Sequence, residues 1–307
     1  MYFMREVNDK VKSIFDNEEV VKRYHDILYP ENNGIVNRKD LQSIINDCGI
    51  KYLYKYRQGS EQDFNNIIKN QIILASPDKF NDSYEFRYSY SYELFKKECE
   101  KRLYDAKIIK NIYQNKNIPY NDKENIVKHL YNKFTDDINR KKKDWLVLCL
   151  CEQYDNSLMW SHYGNSNEGI CIEYDFGELN STNDIAPVIY ADKFVTFNSR
   201  NISRKEFSKV LYTKLKVNWF YEREWRIVKT DKSNGLIDVF DNNNIIIDGV
   251  KLMKTPKIKS LYIGCKAKAD VINRAKKYIK YNPDVNLYVM KMDNFSNTLY
   301  KEKINLL

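Results

Sequence analysis

Lys51-Tyr-Leu-Tyr-Lys-Tyr-Arg57, then Glu61 to Lys69, then Gln71-Ile-Ile-Leu-Ala75 is the stretch whose reading sets the fold class of this chain. The first segment is tyrosine-rich and alternating, which predicts a strand; the second has a helical spacing of apolar residues; the third is again strand-like. A strand, a short helix and a strand therefore open the main domain. Upstream, Arg5 to Tyr29 reads as an amphipathic helix and Asn37 to Asp47 as a shorter one ending near Cys48-Gly49, so residues 1–48 form a helical preface. Downstream, residues of about 90–143 carry helical periodicity broken near Pro119, which predicts a helical insertion within a domain spanning 49–307.

The rest of that domain is dominated by strands. Trp145-Leu-Val-Leu-Cys-Leu-Cys151 is a continuous apolar run suited to a strand buried on both faces, and Gly169 to Asp175 alternates. Ser203 with Glu206 makes a capping box for a helix reaching about Lys216. Further strands are expected at Glu224–Val228, Gly235–Phe240, Lys257–Gly264 and Val285–Met292, with a helix over Ala269–Lys280. Helices grouped apart from strands, rather than alternating with them, predict an α+β fold.

Composition narrows the function. The chain has 307 residues, ample for a buried core, and 43% of them are apolar. Nine glycines are roughly 3% of the chain against a usual ~7%, and neither G-x-G-x-x-G nor G-x-x-x-x-G-K-[ST] occurs. That disfavours nucleotide chemistry built on glycine-rich phosphate loops. Three histidines, and six cysteines whose one close pair is Cys149 and Cys151, predict no metal centre and reduced thiols. The apolar run at 145–151 is far short of the ~20 residues of a membrane span, and no secretory h-region opens the chain. A soluble, cytoplasmic protein is expected.

Three stretches could carry chemistry. In Trp219-Phe-Tyr-Glu-Arg-Glu-Trp-Arg226, an extended backbone from Tyr221 would put Glu222, Glu224 and Arg226 on one face and Arg223, Trp225 and Ile227 on the other. Such a row is either a solvated charge ladder or a site where paired glutamates grip a sugar hydroxyl or a developing positive charge. In Ser157-Leu-Met-Trp-Ser-His-Tyr-Gly164, Ser161, His162 and Tyr163 offer a hydroxyl, an imidazole and a ring; alternatively the aromatics are core and His162 lies on the surface. In Phe80-Asn-Asp-Ser-Tyr-Glu85, Asn81 and Asp82 read first as turn formers. With no G-x-S-x-G and no cysteine beside a histidine, acyl-transfer hydrolysis is disfavoured.

As a set, Y-K-Y-R at 54–57, F-N-D-x-x-E at 80–85, S-L-M-W-S-H-Y-G at 157–164, G-I-C-I-E-Y-D at 169–175 and Y-E-R-E-W-R at 221–226 resemble an uncharacterised bacterial family of unknown function over about residues 51–265. More distantly, the opening strand–helix–strand and Glu222-Arg-Glu224 are similar to ADP-ribosyltransferase domains, including bacterial toxins that modify nucleic acids. That resemblance implies a split mixed or antiparallel sheet and NAD as substrate. It makes Glu224 the catalytic residue and Glu222 the one orienting the acceptor. Lys55, Tyr56 or Arg57 would take the first-strand role in holding the dinucleotide, and Ser161, His162 and Tyr163 the central one. It further implies a toxin or anti-phage role, with a nucleic acid or protein as acceptor. Lys55 departs from the His or Arg that many such enzymes carry on the first strand. Tyr56, Tyr163 and Glu224 would have to meet in one cleft, within the ~15 Å compass of a small-ligand pocket.

A rival reading is a nucleic-acid-binding effector without its own chemistry. The net charge is +9, and residues 251–280 hold ten basic residues against the single acid Asp270, so the remaining chain is neutral in sum. Lys266, Lys268, Arg274, Lys276 and Lys277 are the candidate phosphate contacts, with Lys141 to Lys143 a second basic run; both also fit an ordinary solvated lysine face.

Overall fold

The computed structural model describes residues 13–31, 34–102, 123–143, 145–182, 184–197, 202–230, 246–247, 250–255, 257–293, 295–296 and 298–304. The start of the first expected helix, the strand expected at Gly235–Phe240 and the middle of the insertion, 103–122, lie outside them. Ten helices in the described residues are numbered α1 Glu18–Leu28, α2 Arg38–Asp47, α3 Glu61–Ile68, α4 Tyr92–Arg102, α5 Lys123–Lys143, α6 Ser157–His162, α7 Phe176–Thr182, α8 Arg204–Tyr212, α9 Lys216–Trp219 and α10 Ala269–Tyr281. The strands are β1 Tyr52–Arg57, β2 Gln71–Ala75, β3 Tyr88–Tyr90, β4 Trp145–Cys151, β5 Ile170–Asp175, β6 Ile185–Pro187, β7 Ile189–Ala191, β8 Val195–Phe197, β9 Thr213–Leu215, β10 Glu224–Thr230, β11 Ile246–Ile247, β12 Val250–Lys254, β13 Ile258–Ile263, β14 Asn286–Met292 and β15 Leu299–Lys303.

The fold is α+β around a mostly antiparallel open sheet, eleven-stranded in the described residues. Its hub is the apolar run 145–151. Along one edge β4 pairs with β10 for its whole length, from Trp145 opposite Thr230 to Cys151 opposite Glu224. On its other edge β4 meets β1 only at Tyr54 and Cys151, and β2 only at Ala75 and Val147. Two wings leave β4 there, β2-β12-β11 to one side and β1-β5-β13-β14-β15 to the other. Among the described residues only β13 and β14 run parallel within this sheet, and α10 makes the crossover between them. The small parallel pairs β3–β8 and β7–β9 lie outside it.

The helical preface is part of the same core. Its first expected helix, Arg5 to Tyr29, breaks in its described part at Asn17, whose extended backbone (φ −140°) and side chain cap α1, after a 3-10 turn at Ile14–Asp16 capped by Ser13. Short polar side chains that bond the backbone favour such caps over helix interiors. α1 buries Val21, Tyr24, His25 and Leu28; the Tyr24 hydroxyl donates to Ile185 O at 2.9 Å and His25 Nε2 lies 2.7 Å from Pro187 O, both on β6. Tyr24, Phe15 and Phe176 close edge-on around the fully buried Trp225 of β10. Burial of this ring cluster fixes the level of β10 against the preface.

One boundary departs from the sequence reading. The helix expected to run from Ser203 to about Lys216 stops at Tyr212, and Thr213–Leu215 is strand β9, parallel to β7. Thr213 is β-branched and extended (φ −98°, ψ 130°), which ends the helix and turns Lys214 inward.

The chain between α6 and β5 makes a tight left-handed turn, with positive φ at Asn165, Ser166 and Asn167 (50°, 55° and 70°). It is seated against glycine. A Cβ on Gly264 would fall 2.2 Å from Asn167 O, and one on Gly169 would fall 2.2 Å from Arg57 O. Only hydrogen fits at either place, so these glycines set how closely the Tyr163-bearing segment approaches the end of β1.

Candidate active site

Where the two wings part from β4, the surface opens into a cleft of about 340 Å³, lined among others by Tyr54, Lys55, Tyr56, Phe80, His162, Tyr163, Lys214, Glu222 and Glu224. Tyr56, Tyr163 and Glu224 thus meet in one cavity. Each arrives on a different element: Tyr56 on β1, Tyr163 at the C-terminal cap of α6, Glu224 at the first position of β10.

The two glutamates share the cleft, but not because both are extended. Phe220–Glu222 is a 3-10 turn and Arg223 is left-handed (φ 43°, ψ 55°), so β10 begins only at Glu224. The sharp turn, rather than strand alternation, brings Glu222 beside Glu224. Between them stands Lys214, whose Nζ donates to Glu222 Oε2 at 2.6 Å and to Glu224 Oε2 at 3.0 Å. Arg226 donates from Nε to Glu224 Oε1 at 2.8 Å and from Nη2 to Oε2 at 3.3 Å. Its terminal nitrogens also hold Glu85 at 2.7 and 3.1 Å. Outermost, the Tyr163 hydroxyl donates to Glu222 Oε1 at 2.5 Å and accepts from Asn81 Nδ2 at 3.2 Å.

Three acids and two bases make this cluster a single formal negative charge when all are ionised. Glu222 and Glu224 divide it unequally. Burial works against ionising Glu224, but the charges of Arg226 and Lys214 outweigh burial and hold its carboxyl well below the usual range. Glu222 is pushed up to about 7 by burial and then by the Glu224 charge, against the pull of Lys214 and the Tyr163 hydroxyl. Burial would neutralise Lys214, yet the two carboxylates keep it protonated. One lysine serves two carboxylates; Glu224, with Arg226 as well, keeps the charge, and Glu222 exchanges a proton near neutrality.

The other expected residues divide. Lys55 lines the cleft, donating from Nζ to Cys149 O at 2.7 Å, and burial lowers its pKa. Tyr56 turns its hydroxyl to Gln153 O at 2.9 Å and its ring edge-on to the buried Trp160. His162 lines the cleft and is exposed. Arg57 instead pairs with Asp63 at 3.1 Å, and exposed Ser161 is not among the lining residues. The basic segment lies elsewhere: Lys266, Lys276 and Lys277 are exposed on and before α10, while Lys268 pairs with Glu168 at 3.0 Å and Arg274 with Asp270 at 2.9 Å.

Asp82 forms the expected turn, accepting from Tyr84 N at 2.9 Å, whereas Asn81 is drawn to Tyr163. Lys214 and Glu85 carried no site expectation. A lysine between threonine and leucine next to an apolar helix end was the sole local hint for Lys214. Residues 159–227 match the family described as protein of unknown function (DUF2971). The DUF2971 match takes in Tyr163, Lys214, both glutamates and Arg226, and leaves out Lys55, Asn81 and Glu85. Searches of curated proteins and of solved structures found no match. Among the described residues no helix is long and apolar enough to cross a membrane, and no group of three His, Cys, Asp or Glu is arranged to hold a metal ion.

Proposed function

We propose that the cleft breaks the nicotinamide–ribose bond of NAD and transfers ADP-ribose to an acceptor, a nucleic acid or a protein. The observation that carries this reading is the split pair: a locked, ionised Glu224 beside a Glu222 that titrates at about 7, in a cleft walled by Tyr54, Tyr56, Phe80 and Tyr163. Its volume is at the lower end of small-molecule sites and suits the nicotinamide–ribose end of the substrate. The parting of the sheet at β4 and the Glu-Arg-Glu turn fit the expected resemblance to ADP-ribosyltransferases. No glycine-rich phosphate loop is required.

In this reading the bond from the ribose to the nicotinamide nitrogen breaks with its electron pair going to the ring, quenching the ring's positive charge. Positive charge develops on the ribose instead. Glu224, ionised at every working pH, stabilises it, as a carboxylate does in glycoside chemistry. The acceptor's nucleophile attacks the same carbon and gives its proton to Glu222, whose pKa suits a general base near neutrality. Lys214 and Arg226 hold the two carboxylates apart and aimed; Tyr163 fixes the rotamer of Glu222.

The test is nicotinamide release from NAD by the purified chain, with Glu224→Gln and Glu222→Gln beside it. A second reading, in which the protein binds nucleic acid without chemistry, is favoured by exposed Lys266, Lys276 and Lys277. It requires binding that weakens steeply with salt and is insensitive to Glu224→Gln.

A further inference from the structure

Arg223, between the two glutamates, faces away from them. Its left-handed backbone sends Glu222 and Glu224 into the cleft and Arg223 into a second cavity of about 610 Å³, which among the described residues shares only Tyr54 with the first. Two further cations line it, Lys51 and Lys301, together with Tyr52. Tyr52 is 37% exposed. Lys301 is held over tyrosine rings, its Nζ 4.8 Å from the centre of the Tyr154 ring and 4.9 Å from that of Tyr288 on β14. Arg223 has a weak partner, Asp16 at 3.6 Å, and Asp16 is itself half exposed.

The cavity also has acids, Asp16, Glu152 and Asp155, which formally balance the three cations. Burial pushes Glu152 up to about 7, where it accepts from Trp225 Nε1 at 2.8 Å and from the Ser13 hydroxyl. Near neutrality Glu152 is therefore partly protonated, which leaves the lining with a slight positive excess. An accessible aromatic ring beside a guanidinium and an ammonium is the combination that stacks a base and binds phosphate. The volume lies within the range of small-molecule sites.

We propose that this second cavity binds a nucleoside phosphate, with its base against Tyr52 and its phosphate between Arg223 and Lys301. Two sources share that chemistry: the adenylate half of a dinucleotide whose other end lies in the cleft, or a separate nucleotide. The first source rests on the NAD reading; the site itself does not.

Calorimetric titration of the full chain with ADP tests it. ADP is expected to bind, with Tyr52→Leu and Arg223→Gly each weakening it about tenfold or more, and Tyr52→Phe and Glu222→Gln leaving it unchanged. Glycine suits the positive φ at 223, so that variant removes the guanidinium without straining the turn. No binding at millimolar ADP to the wild-type chain, or binding indifferent to both Tyr52→Leu and Arg223→Gly, overturns the proposal. ADP competing with NAD, with Arg223→Gly raising KM and sparing kcat, supports the site and assigns it to the dinucleotide. ADP binding sensitive to both variants in a chain that consumes no NAD, or whose NAD KM is unmoved, supports the site and assigns it to a separate nucleotide.

Discussion

Arg226 grips Glu85 with both terminal guanidinium nitrogens, at 2.7 and 3.1 Å, across 141 residues of sequence. Both side chains are buried. The contact ties the 80–87 loop, which supplies Phe80 and Asn81 to the cleft, to the residue that locks Glu224.

Removing Glu85 leaves Arg226 buried with Glu224 as its remaining carboxylate and with terminal N–H groups short of acceptors, which costs about 1–3 kcal/mol. Glu85→Ala is expected to lose that much in denaturant unfolding, and Glu85→Gln part of it. A loss below 1 kcal/mol in Glu85→Ala would mean that the pair does not hold the loop.

Glu222→Gln should stabilise the protein above neutrality. The folded carboxyl titrates at about 7 against an ordinary 4.5, so between those values the folded chain binds the extra proton and stability falls as pH rises. The variant has no such slope. At pH 8 it should exceed the wild type by about 1–3 kcal/mol, and near pH 4.5 the two should coincide. A constant difference across this range would show that Glu222 is not perturbed.

Tyr163→Phe deletes the hydroxyl that stabilises ionised Glu222. The pKa of Glu222 therefore rises, and the alkaline-rising limb of the activity profile should move to higher pH than its wild-type midpoint near 7. Because Tyr163 is only half buried, the loss in stability should stay within about 1.5 kcal/mol. A fall in rate with an unmoved midpoint would assign Tyr163 to substrate contact instead.

Gly264→Ala is expected to cost about 3 kcal/mol or more in thermal or denaturant unfolding, because its Cβ meets a backbone oxygen at 2.2 Å and neither strand nor turn can give way cheaply. Gly177→Ala, with its nearest neighbour a side-chain oxygen at 3.2 Å, is the control and should be near neutral. Equal stability of the two variants would refute the seating of the 164–169 turn on Gly264.

The sheet was legible where periodicity is local. Residues 51–57 alternate and 145–151 are apolar throughout, and each forms the strand that its pattern predicts. β9 was not legible: three residues are too few for alternation, and they follow a well-capped helix whose pattern runs smoothly into them. That lost Lys214, the centre of the charge cluster. Glu222 and Glu224 were expected on one face for a reason that the structure replaces, since the left-handed Arg223, not a continuous strand, turns both into the cleft. Glu85 sits in a motif that the sequence singled out, yet nothing local says that its partner lies 141 residues away. Such pairings are set by topology.

The most direct test of the account is nicotinamide release from NAD by the wild-type chain and by Glu224→Gln at pH 8. Release by the wild type is expected, with a loss of about a hundredfold or more in the variant, whose circular dichroism remains that of a folded chain. No release from the wild type with any nucleic-acid or protein acceptor, or release unchanged by Glu224→Gln, would contradict it.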